Sequence, residues 1–188
     1  MKKSYACLLA IAVALAGCSK GAPEGEAEDQ PTTIHEFMTQ RIDPDADAIW
    51  EIGNAAIAED ASIDPDLMTD QNWVDLAAAA ESMAGHSEAL GKLDPLEVVK
   101  PGAKIIDEGN EAAPTAAMIK AHLAKNPDVF RALADSLTTH AVDLAAAAKA
   151  KDAPTAGRLI NEMDGVCESC HLEFWYPEQK ELIKQLGL

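Results

Sequence analysis

A chain of 188 residues that is 48% hydrophobic and 25% charged is sized for about one domain once a leader and a tether are set aside. Its formal charge of −17 excludes nucleic acid as a partner and direct attraction to anionic lipid, while suiting either a basic redox partner or simple solubility in the periplasm. Abundant alanine with only 4% aromatic residues suits closely packed helices.

The chain begins with a leader. Met1-Lys2-Lys3 is a short positive region, Tyr5 to Ala16 is mostly apolar, and Leu15-Ala16-Gly17-Cys18 closes the segment with small residues. Residues 1–17 therefore read as a signal peptide, too short to span a bilayer well. The ending resembles the lipobox of bacterial lipoproteins, in which Cys18 takes a diacylglycerol on sulfur and becomes the first residue of the mature chain. A plain signal peptide, with Cys18 merely near the cut, is the alternative. Several acyl chains on one residue hold a protein at a membrane far longer than one chain does. Ser19 resembles the sorting pattern for the outer membrane. Residues 18–31 are then the lipidated cysteine and a small, acidic, proline-containing tether, and residues 32–188 the folded domain.

From Thr32 the apolar positions Ile34, Met38, Ile42, Ile49, Gly53 and Ala56 recur at close to 3.5 residues, with Phe37 and Trp50 beside them. Asp43-Pro44 interrupts the run. Proline inside a helix costs about 3 kcal/mol or more, so the sequence predicts a kink here, or a break in which Asp43 caps a new helix with Pro44 at its first position. A second helix is predicted over about 70–90, with the stripe Trp73, Leu76, Ala80, Met83, Ser87 and Leu90. Residues 91–114, carrying several glycines and prolines, read as a long irregular connection, and 115–125 as a short extra helix. Asn126-Pro127 starts the third long helix, whose stripe runs Phe130, Leu133, Leu137, His140, Leu144 and Ala147. The fourth starts near Asp152-Ala153-Pro154 and carries Leu159, Ile160, Met163 and Val166. Four amphipathic helices predict an all-α fold, an antiparallel four-helix bundle.

The fourth helix ends in Cys167-Glu168-Ser169-Cys170-His171, two thiols separated by two residues with a histidine directly after the second. That is the spacing of covalent c-type haem attachment. Each thiol forms a thioether with one vinyl group of the porphyrin, and the adjacent imidazole reaches the iron. On a helix, positions i, i+3 and i+4 share one face, so all three side chains can address one planar ligand. A zinc site needs three or four ligands in spaced pairs, and no second such pair exists in the chain. A thioredoxin-like dithiol follows a strand, and here the upstream residues read as helix. Cysteine use then closes, since Cys7 leaves with the leader, Cys18 carries lipid, and Cys167 and Cys170 carry haem.

In order and content these parts resemble the class II cytochromes c, cytochrome c-prime and its low-spin relatives, in which the haem motif lies near the C-terminus on the last helix of a four-helix bundle. The resemblance rests on Cys167 to His171, on Leu172-Glu173-Phe174-Trp175-Tyr176-Pro177 after it, and on the first-helix run from Phe37-Met38 through Asp43-Pro44 to Asp47-Ala48-Ile49-Trp50. It implies one covalent haem c, with His171 as proximal iron ligand and Met38 as distal ligand, or as a core residue if it only packs. It also implies dimerisation through the first two helices as an option. Members often carry an arginine one turn before that methionine, near a propionate; here Ile34 and His35 occupy the turn, with Arg41 or Arg158 as substitutes. Trp50, Trp73 and Phe130 are sized to wall a haem pocket or fill a core. Phe174, Trp175 and Tyr176 either fold over the proximal side or end the helix. His140 is read as a hydrogen-bonded histidine at the core edge, and His35, His86 and His122 as surface or boundary residues.

The function this implies is single-electron transfer by a lipid-tethered periplasmic cytochrome, a carrier and not an enzyme. Without Met38 on the iron, the same protein would bind nitric oxide or carbon monoxide at an open distal site.

Overall fold

The computed structural model describes residues 30–186 apart from 60, 61, 107, 111 and 112. The proposed leader, Cys18 and the tether up to residue 29 lie outside the described residues. Pro31–Leu188 forms one compact unit.

Its first helical rod is built in three parts: α1 (Ile34–Phe37), a π-helical turn over Met38–Ile42, and α2 (Asp43–Ala55). The break with Asp43 as cap does not occur, because the backbone stays helical through Ile42 and Asp43. The π turn absorbs the proline instead. Asp43 N–H reaches back five residues to the Met38 carbonyl, and the Gln40 carbonyl, which loses its α-helical donor at Pro44, accepts from Arg41 Nη1 at 3.2 Å. Widened turns of this kind occur mostly at functional sites. This one begins at Met38.

A 3₁₀ turn at Pro65–Leu67 leads to α3 (Asp70–Gly91). Thr69 and Asn72 form a reciprocal capping box at its start. The predicted stripe is the buried face: Trp73, Leu76, Ala80, Met83, Ser87 and Leu90 are all buried. After the connection come α4 (Ala116–Lys125), α5 (Pro127–Ala150), α6 (Ala153–Phe174) and α7 (Pro177–Leu186). The sequence analysis did not anticipate α7.

The bundle is α2, α3, α5 and α6, each packed on two others: α2 on α3 and α6, α5 on α3 and α6. Ala77, Ala80 and Ala84 of α3 and Ala134, Ala141, Ala145 and Ala148 of α5 are buried, and small side chains let those two helices approach closely. An ion pair and a hydrogen bond mark their antiparallel sense, with Lys151 against Asp70 at 2.6 Å at one end and Arg131 Nη1 donating to the Gly91 carbonyl at 2.5 Å at the other. No described helix is long and apolar enough to cross a membrane.

One core cluster runs along the bundle through Ile49, Leu76, Met83, Leu144 and Met163. A second, with Ile34, Phe37, Leu90, Val98, Ile105, Phe130 and Phe174, fills the end where α1 meets the connection and the last turn of α6. The connection is irregular, as predicted, but tied down: the N–H groups of Ile34 and His35 donate to the carbonyls of Glu97 and Val98 at 2.9 and 3.0 Å. Glu36 completes the tie. Its carboxylate accepts from the Thr32 N–H at 3.0 Å and from Thr32 Oγ1 at 3.1 Å, and it pairs with Lys100 of the connection. The Lys100 bond first, and then the Thr32 N–H, hold the Glu36 carboxyl down at about 2.

Candidate haem site

At the end of the bundle where the second core cluster lies, a cavity of about 550 Å³ opens between α1–α2, α5, α6 and the connection. Cys167, Cys170 and His171 all border it, as do Met38, Trp50 and Phe130. The spacing on α6 does what helical periodicity requires, since i, i+3 and i+4 fall on one face.

Both thiols are free and partly buried. Burial pushes Cys167 up to about 11, helped by the nearby carboxylates of Asp164 and Asp43. Cys170 is pushed up to about 12, by burial first and then by Cys167 and Glu173. Reactive dithiols need the opposite shift, so the thioredoxin-like reading fails on electrostatics as well as on fold. The zinc reading fails on geometry, because no group of three or more His, Cys, Asp or Glu with a metal-holding arrangement occurs among the described residues.

His171 is partly exposed, with Nδ1 3.6 Å from Glu168 Oε2. The Trp175 ring stands edge-on to the imidazole, centroids 6.3 Å apart. Trp175 and Tyr176 border the cavity, whereas Phe174 turns into the core and is fully buried. The aromatic triplet is thus divided between the two roles.

Trp73 is corrected. It is buried in the bundle core and does not border the cavity. It sits in the first turn of α3, and antiparallel packing carries that turn to the far end of the bundle, next to the end of α5 marked by Lys151. Neither Arg41 nor Arg158 borders the cavity; Arg158 pairs with Glu162 on its own helix at 2.5 Å. The lining contains four carboxylates, from Asp43, Asp47, Asp164 and Glu168, and no lysine or arginine. Burial and the neighbouring Asp47 charge raise the Asp43 carboxyl, opposed by His171 and His35.

Three histidines are held by the fold. His140 Nε2 lies 2.8 Å from the Leu159 carbonyl, His122 Nδ1 3.0 Å from the Phe174 carbonyl, and His86 Nδ1 2.7 Å from Asp45 Oδ2. Met163 is fully buried in the core. His35, read from the sequence as a surface or boundary residue, is half-buried and borders the cavity. Its position three residues before Met38, on the same helical face, was the available signal.

The family model described as Cytochrome C′ matches residues 72–175. The chain belongs to the cytochrome c′ family. Members are haem c proteins that are generally not enzymes. The match spans α3 to α6 with the attachment motif, while the helix carrying His35 and Met38 precedes it. Comparison with curated proteins and with solved structures returns no significant match.

The residues fit a haem. The cavity lies within the range of about 300–1,000 Å³ typical of cofactor sites, it gathers two thiols and a histidine at the attachment spacing, and a buried imidazole nitrogen on its wall, His35 Nε2, has no hydrogen-bond partner.

Proposed function

We propose that this cytochrome c′ family member carries single electrons between redox partners through one haem bound covalently at Cys167 and Cys170. It would work in the periplasm, anchored to a membrane, in our reading the outer membrane, by lipid on Cys18. The bound haem supplies the one-electron couple of its iron. His171 holds the proximal side. The observation that carries the reading is the placement of Met38, which borders the same cavity as Cys167, Cys170 and His171 from a separate helix and packs against both core clusters. A thioether anchored on two sides is positioned by the fold in either oxidation state. Retained ligands mean small reorganisation and no position open to substrate, which suits a carrier.

Partner choice follows from charge. Asp43, Asp47, Asp164 and Glu168 border the cavity, so a basic redox protein would be steered towards it. Supporting the tether are the short positive start and the Leu15-Ala16-Gly17-Cys18 ending.

The deciding experiment is the absorption spectrum of protein matured with haem attachment, taken oxidised, reduced, and reduced under carbon monoxide. A carrier gives a sharp reduced spectrum indifferent to the gas, with a far-red methionine-to-iron band when oxidised. A broad high-spin spectrum that shifts with carbon monoxide would move the function to gas binding at an open distal position.

A further inference from the structure

His35 Nε2 is the one buried side-chain nitrogen or oxygen without a hydrogen-bond partner among the described residues. Leaving such a group unsatisfied is costly, so its presence calls for a reason, a functional role among them. The other histidines named above show that this fold readily finds partners for imidazoles, through Leu159, Phe174 and Asp45. His35 differs from them in where it stands: on the cavity wall, one helical turn before Met38.

The surroundings narrow its use. Iron in a low-spin haem takes nitrogen or sulfur donors. Among the cavity-lining residues outside α6, the side chains of that kind are His35 and Met38; the others with donor atoms offer carboxylate, hydroxyl or indole groups. His35 and His171 border the same cavity as Asp43, one from α1 and the other from α6. The His35 backbone is also fixed, by its N–H bond to the Val98 carbonyl and by Thr39 Oγ1 donating to its own carbonyl at 2.8 Å.

We propose that His35 is a second iron-directed base on the cavity wall, taking the sixth coordination position through Nε2 whenever Met38 does not hold it. This rests on the haem-carrier reading of the cavity and adds to it a reserve ligand. The consequence is chemical. A molecule that lost or oxidised its methionine would remain six-coordinate, with a lower reduction potential, and would not become a gas-binding protein. Imidazole lowers the potential relative to thioether because it donates more strongly to ferric iron.

The test uses the full chain matured with haem and compares wild type, Met38→Leu, His35→Ala and the double variant, by absorption and by electron paramagnetic resonance of the ferric form. Leucine keeps the bulk of Met38 in both core clusters, and covalent haem together with helical circular dichroism reports folding in every variant. The expected result is that Met38→Leu loses the far-red band yet stays low-spin with the signature of two imidazoles. The double variant becomes high-spin and binds carbon monoxide at least about tenfold more tightly, about 1.4 kcal/mol. If Met38→Leu is itself high-spin and binds the gas as well as the double variant, His35 is not a ligand and the proposal falls while Met38 stands. A low-spin wild type without the methionine band, converted to high-spin by His35→Ala alone, would reject Met38 and retain His35. A high-spin wild type overturns both.

Discussion

The rings of Phe130 and Phe174 meet edge to face, centroids 5.7 Å apart and 75° between planes, and both are fully buried. One stands at the start of α5 and the other at the last residue of α6. Their contact pins the end of the haem-motif helix to the cavity floor, with Phe130 also forming part of the wall. Phe174→Ala is therefore expected to cost about 3–5 kcal/mol, including the edge-to-face contribution. Phe174→Leu should cost markedly less. Denaturant unfolding of matured protein checks both: a negligible loss in Phe174→Leu would show that the ring geometry contributes nothing, and a loss equal to that of Phe174→Ala would show that retained bulk does not help.

Gly157 is a second packing constraint. A Cβ there would lie 2.9 Å from the Ile63 backbone nitrogen, and backbone cannot step aside as a flexible side chain does. Gly157→Ala should destabilise by about 1–3 kcal/mol through overpacking, with the loop around Ile63 exchanging its amide hydrogens faster. Gly85, with nothing within 4 Å of its added Cβ, is the control. Alanine at that helical position should be neutral or stabilising, up to about 1 kcal/mol.

Glu36 sets an acid limb. Its carboxyl lies at about 2 in the fold against an ordinary 4.5, so the folded state binds this proton less readily than the unfolded chain does. The resulting stability is fully present above pH 4.5 and is lost as pH falls through 4.5 towards 2. Glu36→Gln should flatten that part of the stability profile and cost about 1 kcal/mol at neutral pH, a modest figure because Lys100 is half exposed. Lys100→Met should reproduce most of the effect, measured by denaturant midpoints at pH 3, 5 and 7.

Removing the attachment thiols separates covalent from axial chemistry. The double variant Cys167→Ala with Cys170→Ala should carry no haem through a denaturing gel. His171→Ala, if matured, should keep haem on the gel while losing the low-spin spectrum. Haem that survived on the thiol-free chain would place the attachment elsewhere.

The helices and the shared face of Cys167, Cys170 and His171 were legible in the sequence, because both depend on local spacing. The stripe from Trp73 to Leu90 is buried position by position, and Cys167, Cys170 and His171 share a face because helical rise and rotation place them there. At Pro44 the structure departs from the break, one of the two options read there. A proline reads as a break, but a π turn admits it by shifting each bond one residue further back, and nothing local announces that choice. Trp73 was misplaced because its size suggested a pocket wall, whereas its position along an antiparallel helix decided which end of the bundle it reached.

The sequence by itself determined the helical class and the attachment motif, since each is written in residues close together along the chain, while Met38 as a distal candidate came from the family resemblance. Tertiary structure decided which residues share the cavity: α1 and the connection, both distant from α6 along the chain, meet it only through packing. That packing puts His86, His122 and His140 beside Asp45, Phe174 and Leu159, and leaves His35 Nε2 buried at the cavity without a partner. Whether a buried nitrogen finds a partner depends on what other elements bring to it, and periodicity within one helix carries no information about that.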